Sequence, residues 1–243
     1  MTAAARRYSP DAMLFRRRAE SPPIPRRVGF ALAAAAGVGL LGALPRADGS
    51  LDPLAMLAWV TLIAPAAGFA CGAAGVRPLA GLIVPAVWMF VLVQVDLASP
   101  RDVVEPIWPA LAWTGLFAGG LGLGWLRPGK PPERSWAGVG ALLLGSLFFT
   151  GLGIQGGLAA GDATWGRDHP ALTRLLLDVS PLAVAFDSAG WDWTHAQPTV
   201  YRLSGVEWFH RVPYRGMLAA PALLVVGCVL AAFLSRRASR KHG

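Results

Sequence analysis

Charge is scarce in this chain, where Asp, Glu, Lys and Arg make up 15% of 243 residues against about a quarter in an average soluble domain. The scarcity is localised. The interiors of six apolar stretches hold no Asp, Glu, Lys, Arg or His, Asp96 standing one residue from the end of the third. A central Arg, Lys or Asp costs about 2.5 to 3.5 kcal/mol on insertion scales, and one helical crossing needs roughly 20 mostly apolar residues. A soluble globular fold is therefore excluded. Cysteine is equally sparse: Cys71 and Cys228 both lie inside apolar stretches, so no disulfide framework staples the polar segments. The G-x-x-x-x-G-K-[ST] phosphate loop is missing, and with it any nucleotide hydrolysis of this chain's own by that motif. Thr61, Gln94, Thr114, Ser146, Thr150 and Gln155 are the internal polar side chains, and since none titrates they supply no proton relay or acidic cation site. No G-x-S-G serine motif or membrane histidine marks an intramembrane serine protease.

What is present is a sequence of spans: Val28 to Leu44, Leu54 to Val76, Leu79 to Leu97, Ile107 to Leu126, Ala137 to Ala160, and Met217 to Leu234. The expected fold is an all-α integral membrane protein of six transmembrane helices with both termini cytoplasmic. Residues 1–27 form a basic cytoplasmic tail, 28–160 hold helices one to five, 161–216 an outer (periplasmic) helical loop, 217–234 helix six, and 235–243 a second basic cytoplasmic tail. The basic leader runs to Arg27 and no A-x-A-like site follows Leu44, so the first span is expected to stay attached.

Orientation follows from Lys and Arg. With the N-terminus inside, 15 lie on the cytoplasmic side and seven outside, the arrangement that the positive-inside rule favours. Both tails are basic, which requires an even number of crossings. The formal charge of +8 is thus a topology signal and not a nucleic-acid footprint, because no soluble face gathers it. Arg greatly outnumbers Lys, and Ala, Gly and Pro abound, which suggests a GC-rich bacterial genome and places the chain in a bacterial inner membrane. Ser9 and Pro10 open a stretch with Met13, Leu14 and Phe15 beside the triplet Arg16, Arg17 and Arg18, which either lies on anionic headgroups or serves only as a basic tail.

Glycines recur at four-residue spacing: Gly68 with Gly72, Gly115 with Gly119, Gly120 with Gly124, and Gly153 with Gly157. Such surfaces let helices approach closely in lipid, within one chain or between two copies in a homodimer. Pro65 and Pro85 each remove a helical hydrogen bond, so a kink is expected in the second and third spans. Trp108, Trp125 and Trp136 fall at span borders, where indoles anchor to headgroups.

The outer segment is where chemistry would sit. Asp168 is placed to cap a helix whose first turn holds Pro170, with Leu172, Leu175, Leu176 and Val179 on one face. Ser180 and Pro181 begin a second helix that Gly190 can end, and the pair would lie on, or dip into, the outer surface. A short repeat, acid-Trp-x-His, follows as Asp192-Trp193-Thr194-His195 and Glu207-Trp208-Phe209-His210. On a helix an acid and a His three apart share a face, so Asp192, His195, Glu207 and His210 would complete a first shell for Zn or Fe. The competing reading is packing at the headgroups, with ion pairs to Arg202 and Arg211. His169 beside Asp168 reads as a cap neighbour, and His242 carries no message.

Six spans, basic inner tails and an outer helix–break–helix before the last span resemble the ABC-2 type export permeases. The stretch Leu177-Asp178-Val179-Ser180-Pro181-Leu182 is similar to the Leu-x-x-x-Pro-Leu segment found there. The resemblance implies a non-catalytic subunit of a transport or export assembly, with energy from a separate ATPase or another membrane subunit. Two other readings stand beside it: an outward-facing membrane enzyme or metal-binding protein using residues 161–216, and an envelope-assembly scaffold. On every reading the bilayer is a partner and nucleic acid is not.

Overall fold

The computed structural model describes residues 24–45, 51–98, 107–126, 132–161, 169–189 and 216–239, and among these every regular element is helical. Helix α1 (Ile24–Leu40) tightens into a single 3-10 turn (Leu41–Ala43). Helix α2 (Pro53–Ala73) starts where the Asp52 carboxylate accepts the amide N–H of Leu54 at 3.0 Å, with Pro53 in the first turn, where its missing N–H costs nothing. It ends at a turn through Gly75, whose φ of +84° is open to glycine without strain. Then come α3 (Pro78–Gly81), α4 (Ile83–Leu97), α5 (Ile107–Trp125), α6 (Pro132–Gly161), α7 (Pro170–Asp178), α8 (Pro181–Ser188) and α9 (Gly216–Ser239).

Five stretches are long and apolar enough to cross a membrane: Arg26–Ala43, Pro53–Ala73, Pro78–Leu97, Ile107–Trp125 and Trp136–Gln155. The sixth expected span falls on α9, whose apolar run, Ala219–Leu234, is shorter. At 1.5 Å per residue, the 24 residues of α9 extend about 36 Å.

The two prolines act differently. Through Pro65 α2 continues as one helix. The third stretch divides at Leu82, because Pro85 has no N–H to offer the Gly81 carbonyl four residues back; Gly81 N–H bonds Arg77 O at 2.9 Å in α3, Leu82 N–H bonds Ala80 O, and Ala86 N–H bonds Leu82 O at 3.2 Å at the start of α4.

Helix α5 is the axis of the bundle and carries glycine on two faces. On one, Gly120 lies so close to Pro65 that an added methyl would stand 3.0 Å from its Cα, while Gly124 meets Ala73 and Gly68 and Gly72 meet the backbone of Phe117 and Leu121. On the other, Gly115 abuts Leu223 and Leu224, and a methyl on Gly122 would stand 2.7 Å from Ala231 Cα. Contacts advance in step along each pair, so α2, α5 and α9 run parallel to one another. Backbone-to-backbone approach of this kind trades side-chain volume for dispersion contact, which is the attraction available between helices once water is gone. The glycine spacing therefore serves packing within the chain.

Around this axis Met56, Leu57, Leu92, Trp88, Trp113 and Phe117 are fully buried, with Trp88 and Phe117 edge to face at 6.0 Å. Indole N–H groups fasten neighbouring elements: Trp59 donates to Val38 O at 2.7 Å, Trp88 to Ala36 O at 3.2 Å, and Trp125 to Val76 O at 3.0 Å. Helices α1 and α6 lie at the periphery, with Phe30, Val38, Leu144, Leu147 and Phe148 exposed. Such residues would be costly in water and cost nothing against acyl chains.

Candidate functional site

The segment between α6 and α9 folds, in its described part, as the expected helix–break–helix, but its two helices have unlike surroundings. Ser180 ends the break: its Oγ accepts the Ala183 N–H at 3.3 Å and its carbonyl the Val184 N–H at 3.1 Å, with Pro181 at the first helical position. Helix α8 then packs against α2, α5, α6 and α9. Ala183, Val184, Ala185, Phe186 and Ser188 are all buried.

Its neighbours fix its level. Val184 packs with Ala112 near the start of α5 and with Ala220 near the start of α9, and Gly153 in the last third of α6 fits against Ser180. These positions share one end of the bundle. A short helix buried there must satisfy its own polar groups, and it does: Ser188 Oγ donates to Ala185 O at 3.0 Å, and the Ala189 N–H bonds to Ala185 O and Phe186 O, both at 3.1 Å. Both serine hydroxyls thus bond to the backbone of α8 itself. The helix is an apolar wedge.

Helix α7 lies outside that wedge. His169 precedes it without a side-chain cap bond, and the expected cap, Asp168, lies outside the described residues. Of the apolar face read from the sequence, Leu172, Leu175 and Val179 are exposed and Leu176 half-buried, whereas Leu177 is the buried contact.

Asp192, His195, Glu207 and His210, the expected metal shell, lie outside the described residues, as do Arg202 and Arg211. Among the described residues no group of three or more His, Cys, Asp or Glu is placed to hold a metal ion. Cys71 is buried with its thiol 3.6 Å from Ala31 O, and Cys228 is exposed on α9. Periodicity missed one polar feature: Trp113 Nε1 donates to Thr61 Oγ1 at 2.9 Å in the buried core, and Thr61 in turn donates to Leu57 O at 2.7 Å. A lone threonine in an apolar span was the available signal, but its partner lies 52 residues away.

Comparisons of the chain with protein-family models, with curated proteins and with solved structures find no match.

Proposed function

We propose that this chain is a non-catalytic membrane subunit of a transport or export assembly in a bacterial inner membrane, crossing six times with both termini in the cytosol and drawing energy from a separate ATPase subunit. The wedge formed by α8 carries the reading: a helix–break–helix inserted at one end of the bundle before the last crossing is the element shared with ABC-2 type export permeases. Six crossings find support in the parallel course of α2, α5 and α9, since parallel neighbours in one chain need a return between them, which α4 and α6 supply. A cytosolic N-terminus finds support in the 15 to seven division of Lys and Arg. The aromatic core and the glycine-locked helix pairs favour a rigid part of a larger machine over a carrier that rearranges alone.

Affinity purification of the tagged full chain from membranes in mild detergent, after chemical crosslinking, tests the reading. Recovery of a stoichiometric ATPase or membrane partner is the expected result. A chain that purifies alone with and without crosslinker removes it.

A further inference from the structure

Among the described residues helix α7 has an uncovered apolar side: Leu172 is 45% exposed, Leu175 55% and Val179 36%. The opposite side is in contact, because Leu177 is buried and α7 packs against α6. That neighbour is itself peripheral, with Leu144, Leu147, Phe148 and Ile154 exposed along the span Trp136–Gln155. The chain passes from α6 to α7 in eight residues, 162–169.

We infer that α7 is an interfacial helix whose Leu172, Leu175 and Val179 enter the acyl chains of the outer leaflet, extending the lipid-facing surface of α6 around the mouth of the bundle. The inference rests on the membrane reading above and assigns different solvents to two helices joined at Ser180: protein around α8, lipid against α7. A break between them is what permits this. A continuous helix would carry its apolar stripe in one direction, whereas the turn at Val179 and Ser180 lets the second helix dive inward while the first lies along the surface. Burial of three aliphatic side chains in hydrocarbon would hold α7 in place and so fix the entry point of the wedge.

The test places a nitroxide at Leu172→Cys, Leu175→Cys and, as a reference, Phe148→Cys in the full chain with Cys71→Ala and Cys228→Ala. The protein is reconstituted in phosphatidylethanolamine–phosphatidylglycerol vesicles, and relaxation by oxygen, which partitions into lipid, is compared with relaxation by a water-soluble nickel complex. All three labels are expected to collide more with oxygen. Nickel preference at 172 and 175 with oxygen preference at 148 overturns the inference and leaves the membrane reading standing, as does shielding of 172 and 175 from both reagents, which means protein covers the face. Nickel preference at 148 overturns both. Because these sites are exposed, the substitutions disturb little packing, and a benzophenone on the same cysteines supplies a second readout: crosslinks to acyl chains support lipid contact, and crosslinks to peptide alone refute it.

Discussion

Thr61 Oγ1 accepts the indole N–H of Trp113 at 2.9 Å while donating its own O–H to Leu57 O at 2.7 Å, a chain of two hydrogen bonds that ties α2 to α5 in an otherwise apolar core. Removing the acceptor strands a buried N–H in hydrocarbon, where no water relieves it. Thr61→Val should therefore destabilise the purified protein by roughly 0.6 to 1.7 kcal/mol, from the average to the maximum found for interhelical bonds in membranes. Thr61→Ser keeps the oxygen and should hold most of that stability. Thermal unfolding in detergent, followed by tryptophan fluorescence, reads the difference; equal midpoints for valine and the parent would show that the bond carries nothing.

Glycine substitutions should sort by what each residue faces. Gly120 touches Pro65 backbone and Gly122 touches Ala231, so a methyl at either forces helices apart, and Gly120→Ala or Gly122→Ala should cost about 1 to 3 kcal/mol. Gly29 and Gly140 have open space around the added carbon, and alanine there should be close to neutral. The contrast is the measurement: a detergent-stability series in which all four behave alike would refute the close packing of α5 against α2 and α9.

Much of the fold was legible because lipid is an unforgiving solvent. It demands long uncharged runs with satisfied backbones, so the expected spans Leu54 to Val76 and Ile107 to Leu126 fall within three residues of α2 and α5, whereas α6 begins at Pro132, five residues before the expected Ala137. Pro85 announced a disturbance in the third stretch, and the break at Leu82 lies where its missing N–H places it. Pairing was not legible: Gly120 and Gly124 read as a small-residue stripe in any arrangement, and only the fold shows that Pro65 and Ala73 meet them. The burial of α8 escaped for a similar reason. Its apolar run from Leu182 to Phe186 is too short to distinguish a surface helix from an inserted one, and the decision lies with Gly153, Ala112 and Ala220 on three other helices. For α7 the periodicity identified an apolar face, while the contact that docks the helix, Leu177, stands off that face.

Topology has its own check. A fluorescent protein that matures only in the cytosol should glow when fused after Gly243, and alkaline phosphatase, active only outside, should be active when fused after Val104 or His195 and inactive after Arg77. The basis is the proposed six-crossing topology, which would put 15 Lys and Arg in the cytosol and seven outside. A dark C-terminal fusion with an active phosphatase at the same position would mean an odd number of crossings, and α9 would then not span.

The wedge makes the sharpest mechanical prediction, because Gly153 is the residue that lets Ser180 and Ala183 settle against α6. A leucine at 153 would occupy the place of the Ser180 side chain, and Ser180 is fully enclosed, so α8 must move as a unit or α6 must retreat. Overpacking of about 1 to 3 kcal/mol corresponds to about a five- to 150-fold rise in the displaced population. In a Cys71→Ala, Cys228→Ala background, Val184→Cys should resist a membrane-impermeant maleimide added from the outside, and Gly153→Leu should raise its labelling rate by that factor. Gly151→Leu, which points into open space two residues away, should leave the rate unchanged. If residue 184 labels at the same rate in all three backgrounds, α8 is not held by the fit between Gly153 and Ser180, and the wedge has some other anchor in α5 or α9.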